Sequence, residues 1–391
     1  MRSIGVITTS RADYGIYLPM LRMLSREPAL DTRLFVTGMH LSRDFGWTVE
    51  AIEADGYAIQ EKVEMLLASD SPEGIAKSMG LGTLGFAQAF ARWKPDILVV
   101  LGDRFEMHAA VIASLSFKIP VAHIHGGELT EGAIDDALRH SMTKLSHLHF
   151  VATREYGRRL VQMGEEPWRV TVAGALSLDN LAAMRLFTAA ELESHFGLRL
   201  TTETLLVTFH PVTLEYEEAG HQIEELLMAL KASGRPVVFT MPNADTGGRV
   251  IRERIKCFVH AEPSAQVVES LGTEGYFSAL ALCAAMVGNS SSGILEAPSF
   301  GLPVVNVGTR QRGRVRGTNV IDVGYSRDEI GQGLAKALAP AFRESLRGQA
   351  NPYSNGHAAE RIVARLKEVP LDGQMLVKRF YDIPAVSWEE T

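Results

Sequence analysis

Between residues 123 and 140 the chain reads HIHGGELTEGAIDDALRH, which gathers His123, His125, Glu128, Glu131, Asp135, Asp136 and His140 around a glycine pair. Such side chains carry protons, and several together offer acids and bases for more than one transfer at a single reacting carbon. The second half of the chain supplies a different set. FHPVT contains His210, MPNAD contains Asn243 and Asp245, GNSSSG carries Asn289 to Gly293, and GTRQRGRVRG carries Arg310, Arg312, Arg314 and Arg316. Glycine and serine leave backbone amides open to phosphate oxygens, and arginine adds fixed positive charge. Carboxylates and imidazoles opposite an anion-binding wall suit cleavage of a glycosyl bond whose leaving group is a diphosphate. A sugar nucleotide has that polarity, and the reading requires no metal and no cofactor.

These residues need elements to hold them. Short apolar, β-branched runs alternate with stretches of helical period, the pattern of parallel strands joined by crossover helices, so the fold class is α/β. The first half offers strands at 4–9, 32–38, 96–102, 120–126 and 148–153, and the second at 203–211, 235–243, 265–270, 284–290 and 302–308. The alternation restarts after VTVAGALSLDNL, which suggests two Rossmann-like domains whose parallel sheets face a cleft. The expected limits are residues 1–172 and 173–365, with 366–391 a tail that packs back on the first domain. Ligands of such sheets bind beyond the carboxyl ends of the strands. That rule places Arg11, Asp13 and Tyr14 at the cleft after the first strand. Asp103 and Arg104 follow the run DILVVLG, and Glu128 follows HIHGG.

Several of these residues also have a purely structural reading. His123 lies inside an apolar run and is expected as a hydrogen-bonded core histidine. Asp136, Arg139 and His140 can form a solvated helix face with local ion pairs. GNSSSG can be a helix cap, although three hydroxyls, two glycines and a following helix also make a phosphate nest. Arg310, Arg312, Arg314 and Arg316 can instead serve a subunit contact, and of the four only Arg310 is taken as a ligand candidate. GLGTLG at 80–85 fits a dinucleotide fingerprint, but no strand feeds its glycines, so it is set aside.

Composition bounds the rest. The 391 residues, 46% apolar and 22% charged, suffice for two cores. A net charge of −7 opposes a broad nucleic-acid or anionic-membrane surface, so any anion site must be local. Cys257 and Cys283 form neither a disulfide framework nor a zinc spacing, which fits a cytoplasmic protein. No run approaches the ~20 apolar residues of a spanning helix.

Ten ordered motifs, SRADYG, VTGMH, LGDRFE, HIHGGE, RHSMTKLSHLHF, FHPVT, PNADTG, GNSSSG, GTRQRGRVRG and FYDIP, run over nearly the whole chain. Together they resemble the UDP-N-acetylglucosamine 2-epimerases, and within them the hydrolysing branch that forms N-acetylmannosamine for sialic acid synthesis. The resemblance implies a fold of glycosyltransferase B type, a UDP-sugar partner, and a homodimer or homotetramer. It implies nucleotide or diphosphate contacts at Arg11, Ala12, Asn243, Ser290, Ser291, Glu296 and Arg310, and sugar or diphosphate contacts at His40, Arg104 and His210. Asp103 and Asp135 match catalytic carboxylates. Where many relatives read HIEGGE this chain has His125, so His125 and Glu128 compete for the second acid–base role. The implied reaction eliminates UDP to a 2-acetamidoglucal and then hydrates it with inversion at C2. A sugar carrying 4-acetamido and 6-deoxy groups, used for legionaminic acid, is the second candidate substrate. The same motifs would also serve a non-hydrolysing epimerase, a glycosyltransferase of the same fold or a binding-only regulator.

Overall fold

A strand buried on both faces has no polar face to show, and ILVVL, VAHI and LHFV are such runs. In the computed structural model, which describes residues 1–242, 245–353 and 356–383, they form the centre of a parallel sheet. Its strands are β1 (Arg2–Thr8), β2 (Leu30–Thr37), β3 (Ile59–Val63), β4 (Ile97–Leu101), β5 (Val121–Ile124), β6 (Leu148–Val151) and β7 (Val170–Val172). They lie in the order β3-β2-β1-β4-β5-β6-β7. A second parallel sheet holds β8 (Leu205–Thr208), β9 (Val237–Thr240), β10 (Ala265–Val268), β11 (Ala285–Gly288), β12 (Val304–Val307) and β13 (Val320–Val323). Its order is β10-β9-β8-β11-β12-β13. The architecture is thus two doubly wound α/β domains, as expected.

Each order reverses once, between β1 and β4 and between β8 and β11, and ligands bind at such switch points. Three strands are absent from the sequence-based expectation: β3, β7 and β13, all at sheet edges and only partly buried. GLGTLG lies inside the helix Pro72–Arg92, where its glycines form no strand-to-helix turn for a dinucleotide.

The domains share apolar contact. Val151, Tyr156 and Leu160 pack with Leu178, Ile294, Leu295 and Tyr353 in one small cluster at their junction. The chain then returns to the first domain, because Ile362, Val363 and Leu366 of the helix Ala358–Glu368 belong to the first domain's core. The division expected at residue 365 falls inside that helix. Beyond it, buried Arg169 donates to the carbonyls of Gln374, Met375 and Val377, and the Lys378 ammonium lies 2.7 Å from the buried Glu165 carboxylate. No helix among the described residues is long and apolar enough to cross a membrane.

Candidate active site

The first strand ends in a built corner. Ser10 and Asp13 form a capping box that starts the helix Arg11–Leu24. Asp13 accepts from the Thr9 and Ser10 amides at 3.0 and 2.8 Å, so it is spent on the turn. Tyr14 is buried and donates to Asp55 at 2.6 Å. Both were expected at the cleft, and local hydrogen bonding holds them away from it. Arg11 and Ala12 do line the cleft. His40 is wholly buried with its ring nitrogens 2.9 Å from the Thr8 and 2.6 Å from the Thr48 hydroxyl, so it braces this corner from behind.

The cleft is a cavity of about 300 Å³ between the two sheets, lined by Arg11 and Ala12 from the first domain and by His210, Ser290, Ser291, Glu296 and Arg310 from the second. Its second wall is welded at the switch point. Asn289 accepts from the His210 amide at 2.7 Å and donates to the His210 carbonyl at 2.8 Å, joining the ends of β8 and β11. Arg310 and Gln311 both donate to the Asn289 carbonyl, at 3.1 and 2.8 Å. The helix expected behind GNSSSG is only Ser292–Leu295, continued by a 3-10 turn over Ala297–Phe300. Any anion there would rely on the serine hydroxyls and amides and on Arg310, because so short a helix has little dipole. Burial, reinforced by Arg310 and Arg104, holds the His210 imidazole well below its usual pKa. Burial raises the Glu296 carboxyl, which accepts from Ser177 at 2.5 Å. Asn243 lies outside the described residues.

The proton-carrying side lies at the ends of β4 and β5. His123 is the core histidine expected: it is wholly buried, one ring nitrogen lies 2.7 Å from the Gly102 carbonyl, and burial pushes its pKa down to about 3. Arg139 is not on a solvated face. It is buried, pairs with Asp103, and donates to the His125 carbonyl at 2.6 Å. The helix Ile134–Leu145 carries it four residues after Asp135, one turn along the same side.

Arg314 also departs from expectation. It meets the first domain of its own chain, donating to the Leu129 carbonyl at 2.7 Å and lying 3.2 Å from Glu128. Gly313 makes this approach possible: at φ +76° its missing Cβ would lie 2.6 Å from Glu131 and press on Leu129. Arg316 is occupied by Asp322 and the Gln311 carbonyl.

Charge then separates the carboxylates. Burial opposes ionisation of Asp103, but Arg139, Arg314 and Arg310 outweigh it and hold its carboxyl below the usual range. Burial likewise opposes charge on Glu128, yet His125 and Arg314 bring it down to about 2. For Asp135, burial and the neighbouring Asp103 and Asp245 act together and raise it to about 7. One anion beside one protonated acid is an arrangement suited to acid–base work. Asp135 lines a recess with Arg104, Phe105, Ile134, Leu138 and Asp245. Arg104 is held by Glu106 through a fork of 2.9 and 3.1 Å and lies 3.7 Å from Asp245 of the other domain. Arg310 lines the cleft and bears electrostatically on Asp103, Asp135 and His210, whereas Asp103, His125, Glu128 and Asp135 are not among the residues that line the cleft itself.

Two doubly wound parallel sheets closing on a polar cleft define a two-domain α/β protein of the glycosyltransferase B type. Comparison with known proteins narrows this. A family profile for UDP-N-acetylglucosamine 2-epimerase matches residues 22–367. The chain is similar to the UDP-N,N'-diacetylbacillosamine 2-epimerase (hydrolyzing) of Legionella pneumophila, 38% identical over 97% of this chain and 99% of the relative. It is 37% identical to the GDP/UDP-N,N'-diacetylbacillosamine 2-epimerase (hydrolyzing) of Campylobacter jejuni, over 98% of this chain and 99% of the relative. It is 36% identical to the polysialic acid biosynthesis protein P7 of Escherichia coli, over 98% of both. Among solved structures, the Neisseria meningitidis UDP-GlcNAc 2-epimerase bound to UDP-GlcNAc superposes with a TM-score of 0.77 at 20% identity, over 94% of this chain and 99% of that one, a likeness of fold. The chain belongs to the UDP-N-acetylglucosamine 2-epimerase family.

Proposed function

We propose that this protein is a hydrolysing 2-epimerase that converts a UDP-linked 2-acetamido sugar and water into the free manno sugar and UDP. The observation that carries this is the pairing of walls. His210, Ser290, Ser291 and Arg310 offer a diphosphate hydrogen bonds and charge, while Asp103 and Asp135 stand across from them under the influence of the same arginine. Arg11, Ala12 and Glu296 extend the cleft for the nucleoside, and Arg104 reaches the sugar side.

The C2 hydrogen is barely acidic, so C1–O cleavage leads. Departing charge falls on the diphosphate beside Arg310, and the fixed carboxylate of Asp103 stabilises positive charge at C1. A base takes the C2 proton as the UDP oxygen leaves, giving a 2-acetamidoglucal. Water then adds at C1 while Asp135, which holds its proton up to about pH 7, returns a proton to the other face of C2.

Of the two substrates expected from the sequence, UDP-N,N'-diacetylbacillosamine is the better supported. The relatives at 38% and 37% identity are named for it. UDP-N-acetylglucosamine, the first expectation, keeps support from the polysialic acid relative and from a Neisseria meningitidis UDP-N-acetylglucosamine 2-epimerase at 34% identity. Incubation with each UDP-sugar in heavy water, followed by proton NMR, tests the proposal. Free UDP with a manno product deuterated at C2 is expected. UDP-linked product, or UDP released only when an acceptor is present, overturns it.

A further inference from the structure

The epimerase reading leaves the base at C2 unassigned between His125 and Glu128, and the geometry separates them. His125 Nδ1 lies 2.5 Å from Glu128 Oε1. Its other ring nitrogen, Nε2, is buried and has no hydrogen-bond partner among the described residues. The His125 ring bears electrostatically on Glu296, a residue of the cleft wall whose carboxyl burial raises overall. Glu128 has no such freedom. Its residue is 1% exposed, Oε1 is taken by His125, and Oε2 faces Arg314 at 3.2 Å and Arg139 at 3.9 Å. A carboxylate hydrogen-bonded to His125 through one oxygen and ion-paired with two arginines through the other is placed to orient its neighbour.

The backbone points the same way. His125 has φ +63°, a left-handed conformation that side chains other than glycine rarely adopt. It is held there from both ends, its amide donating to the Phe150 carbonyl at 2.9 Å and its carbonyl accepting from Arg139 at 2.6 Å. Strain that the surroundings enforce this firmly is a mark of a functional position.

We infer that His125 and Glu128 act as an oriented imidazole–carboxylate pair, with His125 Nε2 the base at C2 and Arg314 the positioning residue that completes the pair from the second domain. This inference rests on the epimerase reading. The Nε2 lone pair takes the C2 proton, the C2–H electrons form the C1=C2 bond, and the C1–O electrons leave on the β-phosphate oxygen of UDP. In the second half, Asp135 gives its proton to C2, the water oxygen bonds to C1, and the proton of that water returns to Asp135. The imidazolium then releases its proton to solvent, which balances hydrolysis. Arg314 comes from the other domain, so the setting of the pair depends on the contact between the domains.

The test uses the full chain and follows UDP release, with UDP affinity measured separately. His125→Gly suits the left-handed backbone and leaves room for an added base. It should lower kcat by about 10²- to 10⁴-fold, the usual worth of a general base, with UDP affinity unchanged, and added imidazole should restore part of the loss. His125→Asn, which also tolerates this backbone, should lose as much and gain nothing from imidazole. Arg314→Met should lower kcat more than it raises KM, and Arg314→Lys should recover part of that. A His125→Gly enzyme with kcat near wild type, or a loss that imidazole leaves untouched, overturns the assignment. So does a Glu128→Gln variant that loses far more than His125→Gly. If the wild-type protein releases no UDP from any UDP-sugar, the epimerase reading itself falls, a result distinct from failure of the pair in an active enzyme.

Discussion

Arg314 of the second domain lies 3.2 Å from the Glu128 carboxylate of the first, and both residues are buried. Separating two buried charges is costly because the one left behind has lost its water and gained no partner. Arg314→Ala should therefore destabilise the protein by about 3–5 kcal/mol and loosen the contact between domains. Chemical denaturation together with small-angle scattering reads both effects; an unchanged midpoint and radius would remove Arg314 from the clasp.

Gly313 permits that contact. With φ +76°, and with the Leu129 methyl and the Glu131 carboxylate needing to move aside for a Cβ, Gly313→Ala should cost about 1–3 kcal/mol, chiefly from the backbone, and weaken substrate turnover more than UDP binding. Gly348, also left-handed but with nothing near its Cβ position, serves as the control. A Gly313→Ala midpoint no lower than that of Gly348→Ala would show that the loop is not pressed against the first domain.

Asp135 sets the expected pH dependence. Its carboxyl is raised from 3.8 to about 7, so its protonated form is the one the fold favours. That contribution to stability is complete below pH 4 and is lost as pH rises through about 7. Asp135→Asn stays neutral throughout. Its stability relative to wild type should rise by about 1–3 kcal/mol between pH 5 and 8, and a constant difference would contradict the raised value. The kcat of the wild type should also decline above about pH 7, as the proton donor is lost.

Asp103 is held in its charged form by its arginines, and in the proposed mechanism it faces the positive charge that develops at C1. Asp103→Asn should reduce UDP release by about 10²- to 10³-fold while UDP affinity, measured by calorimetry, holds within a few-fold. Retained turnover would take Asp103 out of the chemistry.

Much of this was legible in the sequence for one physical reason. Central parallel strands are buried on both faces and so are mostly apolar, which makes ILVVL and VAHI stand out, and Asp103 and His125 follow close behind their carboxyl ends. Edge strands such as IQEKV and VIDV have one neighbour and a wet side, so their polar residues hid them. Asp13 looked like a ligand because it follows a strand, but a capping box consumes the same residue type.

The arginines were misplaced for a different reason. Arg139 shares a helix side with Asp135 and the buried Met142, and an arginine spaced to lie on the inward side of its helix is a signal that was available. Arg314 gave none, because a loop alternating arginine with other residues looks solvated until the opposing domain is in place. The orphan nitrogen and left-handed backbone of His125 are likewise properties of the folded chain alone.

The most direct measurement is a crystal structure of the Asp103→Asn protein with its UDP-sugar bound. The expected result is a diphosphate within about 3.5 Å of Ser290, Ser291 or Arg310, with sugar C2 lying between His125 Nε2 and Asp135. A diphosphate held away from that wall, or a C2 atom remote from both His125 and Asp135, would contradict the proposed division of work between the two domains.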